Sequence, residues 1–182
     1  MVNQKKLTFS ALPMFAHGRS LRSVSPYVWR QIRAKILEQG CQCEICGAKP
    51  IDEADKRNFH VHEEWEFDTE HHILILKHMG LICHLCHQCD HIGLLQQKFL
   101  SMQITHEEYD AVYEHYAKVN QCSAKEATRD SQQAFKAYRS NPDNYSHVLR
   151  NAHWTYRLDC DFPCKDKMEN ALRKKGLLAD AH

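Results

Sequence analysis

Cys43-Glu44-Ile45-Cys46-Gly47 and Cys83-His84-Leu85-Cys86-His87-Gln88-Cys89-Asp90-His91-Ile92-Gly93 are the two stretches that decide how this chain folds. Each opens with a C-x2-C pair, and 36 residues separate the pairs. Two-residue spacing lets both thiolates of a pair grip one ion from a tight turn, and four thiolates complete a tetrahedral zinc shell. Cys43, Cys46, Cys83 and Cys86 are the favoured set for one structural Zn²⁺. Cys41, two residues before Cys43, and Cys89, which makes a further C-x2-C with Cys86, compete for membership. Cys160 and Cys164 form a C-x3-C pair, and Cys122 stands alone.

The chain has nine cysteines and fourteen histidines in 182 residues. Met1 to Ser10 holds two lysines and no apolar run of the kind that marks an export signal. A cytoplasmic setting is therefore expected, where cysteine-rich patterns read as metal sites rather than disulfides. No stretch of about 18 apolar residues occurs, so no membrane partner is expected.

Working outward from the pairs, residues 59–67 alternate with aromatic and β-branched members, which predicts a strand, and 72–82 predict its return. His87 to Leu100 reads as a helix. His87 and His91 are four apart, so on a helix both rings leave one face and can share a metal. A strand that brings His62 and Glu63 to that face would build a mixed imidazole and carboxylate site. Such a site suits Mg²⁺, Mn²⁺, Zn²⁺ or Ni²⁺, and spacing does not choose among them.

Further out, Ser25-Pro26 opens a helix whose apolar residues recur to Leu37 before Gly40. Thr105-x-x-Glu108 and Ser123-x-x-Glu126 are capping boxes for two more helices. Trp154 to Leu158 predicts a short strand and Asp166 to Lys175 a last helix, while residues 1–24 read as irregular. Three regions follow: a basic segment and helix over 1–40, a core over 41–102, and a mainly helical part over 103–182. Residues 1–40 carry seven Lys/Arg against Glu38 alone, a balance of +6. Residues 41–120 balance at −8 and residues 121–182 at +3. Arg19, Arg22, Arg30 and Arg33 are thus the expected contacts to phosphate backbone.

These motifs together resemble the HNH (His-Me finger) endonucleases, above all the small stand-alone bacterial and phage proteins of that family. Their His-Glu-x-Trp-x-Tyr-Asp-Asp-x-Asn-His pattern matches His62-Glu63-Glu64-Trp65-Glu66-Phe67-Asp68-Thr69-Glu70-His71-His72. Their Leu-Cys-x2-Cys-His-x3-His-x-Gly run matches Ile82 through Gly93 without a gap. Arg22-Ser23, the segment His115-Tyr116-Ala117-Lys118-Val119-Asn120 and the stretch Trp154 to Asp159 extend the likeness to about residues 12–165. Among the departures, two bear on the site: the family's Asn before the second His is His71, and the Asn five residues before the third cysteine is His78.

The resemblance implies an α+β fold, a ββα-metal core with zinc knuckles flanked by helices. It implies hydrolysis of DNA phosphodiester bonds in a phage, mobile-element or defence setting. A hairpin group then activates water while one divalent ion, Mg²⁺ or Mn²⁺ with Zn²⁺ or Ni²⁺ as alternatives, stabilises the transition state. His62, Glu63 and His72 are the implied catalytic residues, with His62, His87 and His91 at the metal. DNA is the implied partner, ahead of RNA. The alternative is a catalytically decayed, zinc-stabilised regulator that binds nucleic acid or protein on the same scaffold; a protein partner or a homodimer is the further partner expectation.

Overall fold

A computed structural model describes residues 6–179; Lys5 lies outside them. The chain is mixed α and β, and it divides into two compact, discontinuous units. One comprises residues up to 13, 42–60 and 82–144; the other comprises 14–41, 61–81 and 145 onward. No helix among the described residues is long and apolar enough to cross a membrane.

The first unit is helical beyond its cysteine loops: α3 (His84–Asp90), α4 (Ile92–Leu100), α5 (His106–Asn120) and α6 (Ala124–Ser140), numbered after two helices of the other unit. Both capping boxes form. The Glu108 amide donates to Thr105 Oγ1 (3.1 Å) and the Thr105 amide to Glu108 Oε2 (2.8 Å), with Ser123 and Glu126 repeating the exchange. Ile92, Leu95, Val112, Tyr116 and Ala127 are buried together with Leu7 and Phe9 of the N-terminal segment. Phe9 stacks on Tyr116 with ring centres 4.0 Å apart. Asn120 fixes the same segment by exchanging two hydrogen bonds with the Leu7 backbone, at 3.0 and 2.9 Å.

The expected single helix from His87 to Leu100 is two helices that meet at His91 (φ −117°, ψ 43°). The break is stabilised from outside. Ser10 donates its amide to the Cys89 carbonyl (3.1 Å) and its carbonyl accepts the Ile92 amide (3.0 Å), so a carbonyl and an amide that lose their helical partners at the break are each satisfied there. Its hydroxyl donates to Asp90 Oδ1 at 2.6 Å.

The second unit holds most of a three-stranded sheet, ordered β1 (Phe59–Asp68), β2 (Ile73–Cys83), β3 (Thr155–Leu158). A four-residue connection joins β1 to β2, a length that only an antiparallel pair allows. β2 and β3 run parallel, with Ile73 opposite Thr155 and Leu76 opposite Leu158. As the central strand β2 is apolar at most positions, and it is buried except at Lys77 and His78.

Around the sheet lie α1 (Leu21–Val24), α2 (Pro26–Gln39), α7 (His147–Asn151) and α8 (Lys165–Lys174). Ser25 caps α2 as expected, while α1 and α7 arise in stretches with no periodic signal. α2 and α8 bury Val28, Ile32 and Ile36 with Met168 and Leu172. Lys175 closes the packing by donating to the Val24 carbonyl at 2.7 Å.

Candidate metal centre and hairpin site

The first unit gathers Cys43, Cys46, Cys83 and Cys86, whose sulfurs all lie within 4.8 Å of one another. Tetrahedral Zn–S bonds of about 2.3 Å would hold neighbouring sulfurs about 3.8 Å apart, and Cys46 Sγ stands 3.7 Å from Cys83 Sγ. The first knuckle is set by backbone: the Gly47 amide reaches the Cys43 carbonyl (2.9 Å) and the Cys43 amide the Ala48 carbonyl (2.8 Å). Gly47 takes φ +76°, a left-handed turn that a side chain would strain. The second knuckle is the end of β2 running straight into α3.

The donor set fits a divalent cation. Hydrogen bonds from Cys83 and Cys86 hold the Cys43 thiol far below its ordinary range. Sharing a proton with Cys43 pushes Cys83 up to about 12 and raises Cys86 further still. A cation of charge +2 supplies the charge that lets four thiolates coexist. The cluster could therefore hold a structural metal such as zinc. Cys89 is buried outside it, its thiol directed at the Val112 carbonyl (3.9 Å).

A group that the spacing did not reveal joins this centre. His115, on α5, places Nε2 at 3.2 Å from Cys86 Sγ and 4.0 Å from Cys83 Sγ. Burial lowers its pKa, which keeps the ring neutral near neutral pH. A cavity of about 760 Å³ opens beside the cysteines and is lined in part by Lys6, Lys49, Lys118, His84 and His115.

The first unit also carries a histidine row. His87 and His91 keep their rings edge to face with centres 4.5 Å apart across the helix break, because the His91 amide still reaches the His87 carbonyl (3.2 Å). His60 stacks on His87 at 4.6 Å, and its Nε2 meets His84 Nδ1 at 3.4 Å. His60 and His84 were not singled out in the sequence, although the i, i+2 step from His60 to His62 puts both on one face of β1.

In the second unit Glu63 is committed. Its Oε1 accepts the Leu21 amide (3.0 Å), the first amide of α1, and its Oε2 accepts Trp65 Nε1 (3.0 Å). The residue is half-buried, but its carboxyl end is enclosed, and desolvation raises its pKa to about 7 despite those two bonds. The hairpin turn is closed by Asp68, which accepts the His71 amide and faces the His71 ring, both at 2.9 Å. His72 follows at φ +56° with its ring 5.5 Å from that of Trp154. β1 runs unbroken from His62 to Asp68, six residues at about 3.3 Å each, so the turn lies about 20 Å beyond His62. His72 is thus no neighbour of His62, although the resemblance implies a catalytic role for both.

Of the four arginines, Arg19 is spent on structure. Its guanidinium donates to the Phe15 carbonyl and to that of Arg150 (2.9 Å). Arg33 is half-buried, whereas Arg22 and Arg30 are exposed. Compared with family models, curated proteins and solved structures, the chain matches none.

Proposed function

We propose that the chain is a metal-dependent HNH endonuclease that hydrolyses DNA phosphodiester bonds from a ββα-metal core. The observation that carries this reading is order. β1, a four-residue turn, β2 and α3 follow one another with no residue between Cys83 and His84, and the cysteine cluster ties the strand-to-helix corner. His87 and His91, paired across the end of α3, are the proposed ligands of Mg²⁺ or Mn²⁺, with Zn²⁺ or Ni²⁺ as alternatives. His62, from the hairpin, takes the proton of the attacking water or joins them as a ligand. Glu63 fixes the strand that carries His62 by anchoring it to Leu21, so it orients rather than accepts a proton. A divalent cation held there supplies charge that stabilises the crowded phosphate and the leaving oxygen. Asp68 and His71 close the hairpin turn where the family has its Asn. DNA is the proposed partner and the cytoplasm the proposed setting.

Supercoiled plasmid incubated with the protein and Mg²⁺ or Mn²⁺ tests the reading. Nicking is expected with an added ion, and it is expected to disappear in His87→Ala while zinc content and helicity stay, since His87 is not among the four cysteines. Wild-type protein that cleaves nothing with either ion would overturn it. One observation favours a second reading, a zinc-stabilised binding module: the carboxylate at the usual catalytic position is consumed by Leu21 and Trp65. Plasmid binding without cleavage would select it.

In either case the phosphate contacts are expected at Arg22 and Arg30. Replacing both by Ala should lower the slope of log affinity against log salt by about 2, near one unit per phosphate contact. Arg19→Ala should instead lower stability with little change in slope. Equal slopes for the wild type and the double variant would rule these arginines out.

A further inference from the structure

Within the segment His115-Tyr116-Ala117-Lys118-Val119-Asn120 of α5, two polar side chains have explanations of their own. Asn120 clamps the Leu7 backbone. Tyr116 is core, with its hydroxyl donating to Asp130 at 3.0 Å. His115 lies three residues after buried Val112, on the same face of α5, yet it has an imidazole where an apolar residue would pack. We infer that His115 belongs to the cysteine metal centre, donating its Nε2–H to the Cys86 thiolate as a positioning group and not as a ligand. The inference rests on the cysteine set holding a metal.

Four thiolates around one divalent ion carry a net charge of about −2. That excess sits on the sulfur lone pairs, where acid or a competing ligand can begin to strip the metal. A hydrogen bond to one sulfur disperses it. The unequal distances, 3.2 Å to Cys86 and 4.0 Å to Cys83, mark a donor beside one sulfur. A nitrogen ligand would stand about 3.5 Å from every remaining sulfur of a tetrahedral zinc. The cavity bordered by Cys46, Cys83 and His115 gives solvent a path to this edge, so loss of the donor should be felt as faster exchange. The bond also gives α5, which contributes no cysteine, a direct hold on the centre.

The test uses the full chain loaded with Zn²⁺ or Co²⁺, and it begins with metal stoichiometry. Transfer of zinc to a chromogenic chelator is then followed for wild type, His115→Ala, His115→Phe and His115→Gln. Ala and Phe are expected to release zinc about tenfold faster, the lower end for loss of an outer partner of a metal ligand. Gln, whose amide can donate, should recover most of the difference. His115→Phe preserves ring packing, so it separates hydrogen bonding from a fold defect in the Ala variant. The Co²⁺ spectrum should show four-sulfur charge transfer in all four proteins. Equal release rates with one metal bound would overturn the role of His115. A spectrum that changes on His115→Phe as a ligand is lost would make His115 a ligand. Folded protein that binds no metal would instead remove the metal centre itself.

Discussion

Chelating the metal from Cys43, Cys46, Cys83 and Cys86, or replacing Cys83 by Ser, is expected to unfold the cysteine-bearing unit, not leave it folded and inert. Residues 41–58 hold no helix or strand longer than a short 3-10 turn, and Cys43 is their sole buried side chain. Nothing apolar would replace the metal in holding this stretch against α3. Structural zinc in small domains is worth about 10–16 kcal/mol of apparent binding energy, and ordinary domains are stable by only about 5–15 kcal/mol. This unit has an apolar core of its own around Tyr116 and Leu95, so a loss on the order of 5 kcal/mol or more is the expectation, enough to melt α5 and α6 near room temperature. Far-UV circular dichroism with chelator, then with zinc restored, would register it. Cys89→Ala is the control, because Cys89 is equally buried but directed at Val112, and a change near 1 kcal/mol is the norm for such a site. A melting curve indifferent to both chelator and Cys83→Ser would show that the sulfurs meet without a metal.

What the sequence made legible was what is local in the chain. Both capping boxes are exchanges between residues three apart, and C-x2-C pairs close within one turn, so spacing alone contains their geometry. The hairpin was readable for the same reason, since the alternation in β1 and the apolar run of β2 are separated by four residues. Contacts across long separations left no such mark. His115 is 29 residues from Cys86 and sits in a helix whose periodic pattern is satisfied without it. The break at His91 depends on Ser10, 80 residues away from the Asp90 it binds, and the run from His87 to Leu100 is itself a good helical pattern. The parallel pairing of β3 with β2 is likewise set by the fold, because a four-residue strand carries almost no signal. Glu63 shows the sharper case. Its neighbours suggested chemistry, while its partner, the Leu21 amide, lies 42 residues upstream at a helix start too short to detect.

That placement gives Glu63 a measurable consequence: the stability advantage of Glu63→Gln over the wild type should grow by about 3 kcal/mol between pH 4 and pH 8.5. The carboxyl titrates near 4.5 when solvated and at about 7 in the folded protein, because its enclosed position disfavours the charge more than the Leu21 and Trp65 bonds favour it. The raised value fixes the sign. Below about pH 4.5 the group is protonated in both states and costs nothing. Between about pH 4.5 and 7 the unfolded chain ionises in water while the enclosed carboxyl keeps its proton, so stability falls. Above 7 the folded state carries the full cost of a desolvated charge. A displacement of about 2.5 pH units corresponds to about 3 kcal/mol. Glutamine removes the charge and, like the protonated acid, accepts one of the two N–H groups, so the two proteins should be closely matched near pH 4. Other groups that titrate in this range are common to both and cancel in the difference. All three tryptophans, Trp29, Trp65 and Trp154, belong to the unit that contains Glu63. Denaturant unfolding followed by tryptophan fluorescence therefore reads the correct part of the chain. A difference between the two proteins that is flat across this range would mean that the Glu63 carboxylate is adequately solvated or paired, and that its bonds to Leu21 and Trp65 carry the charge at no cost.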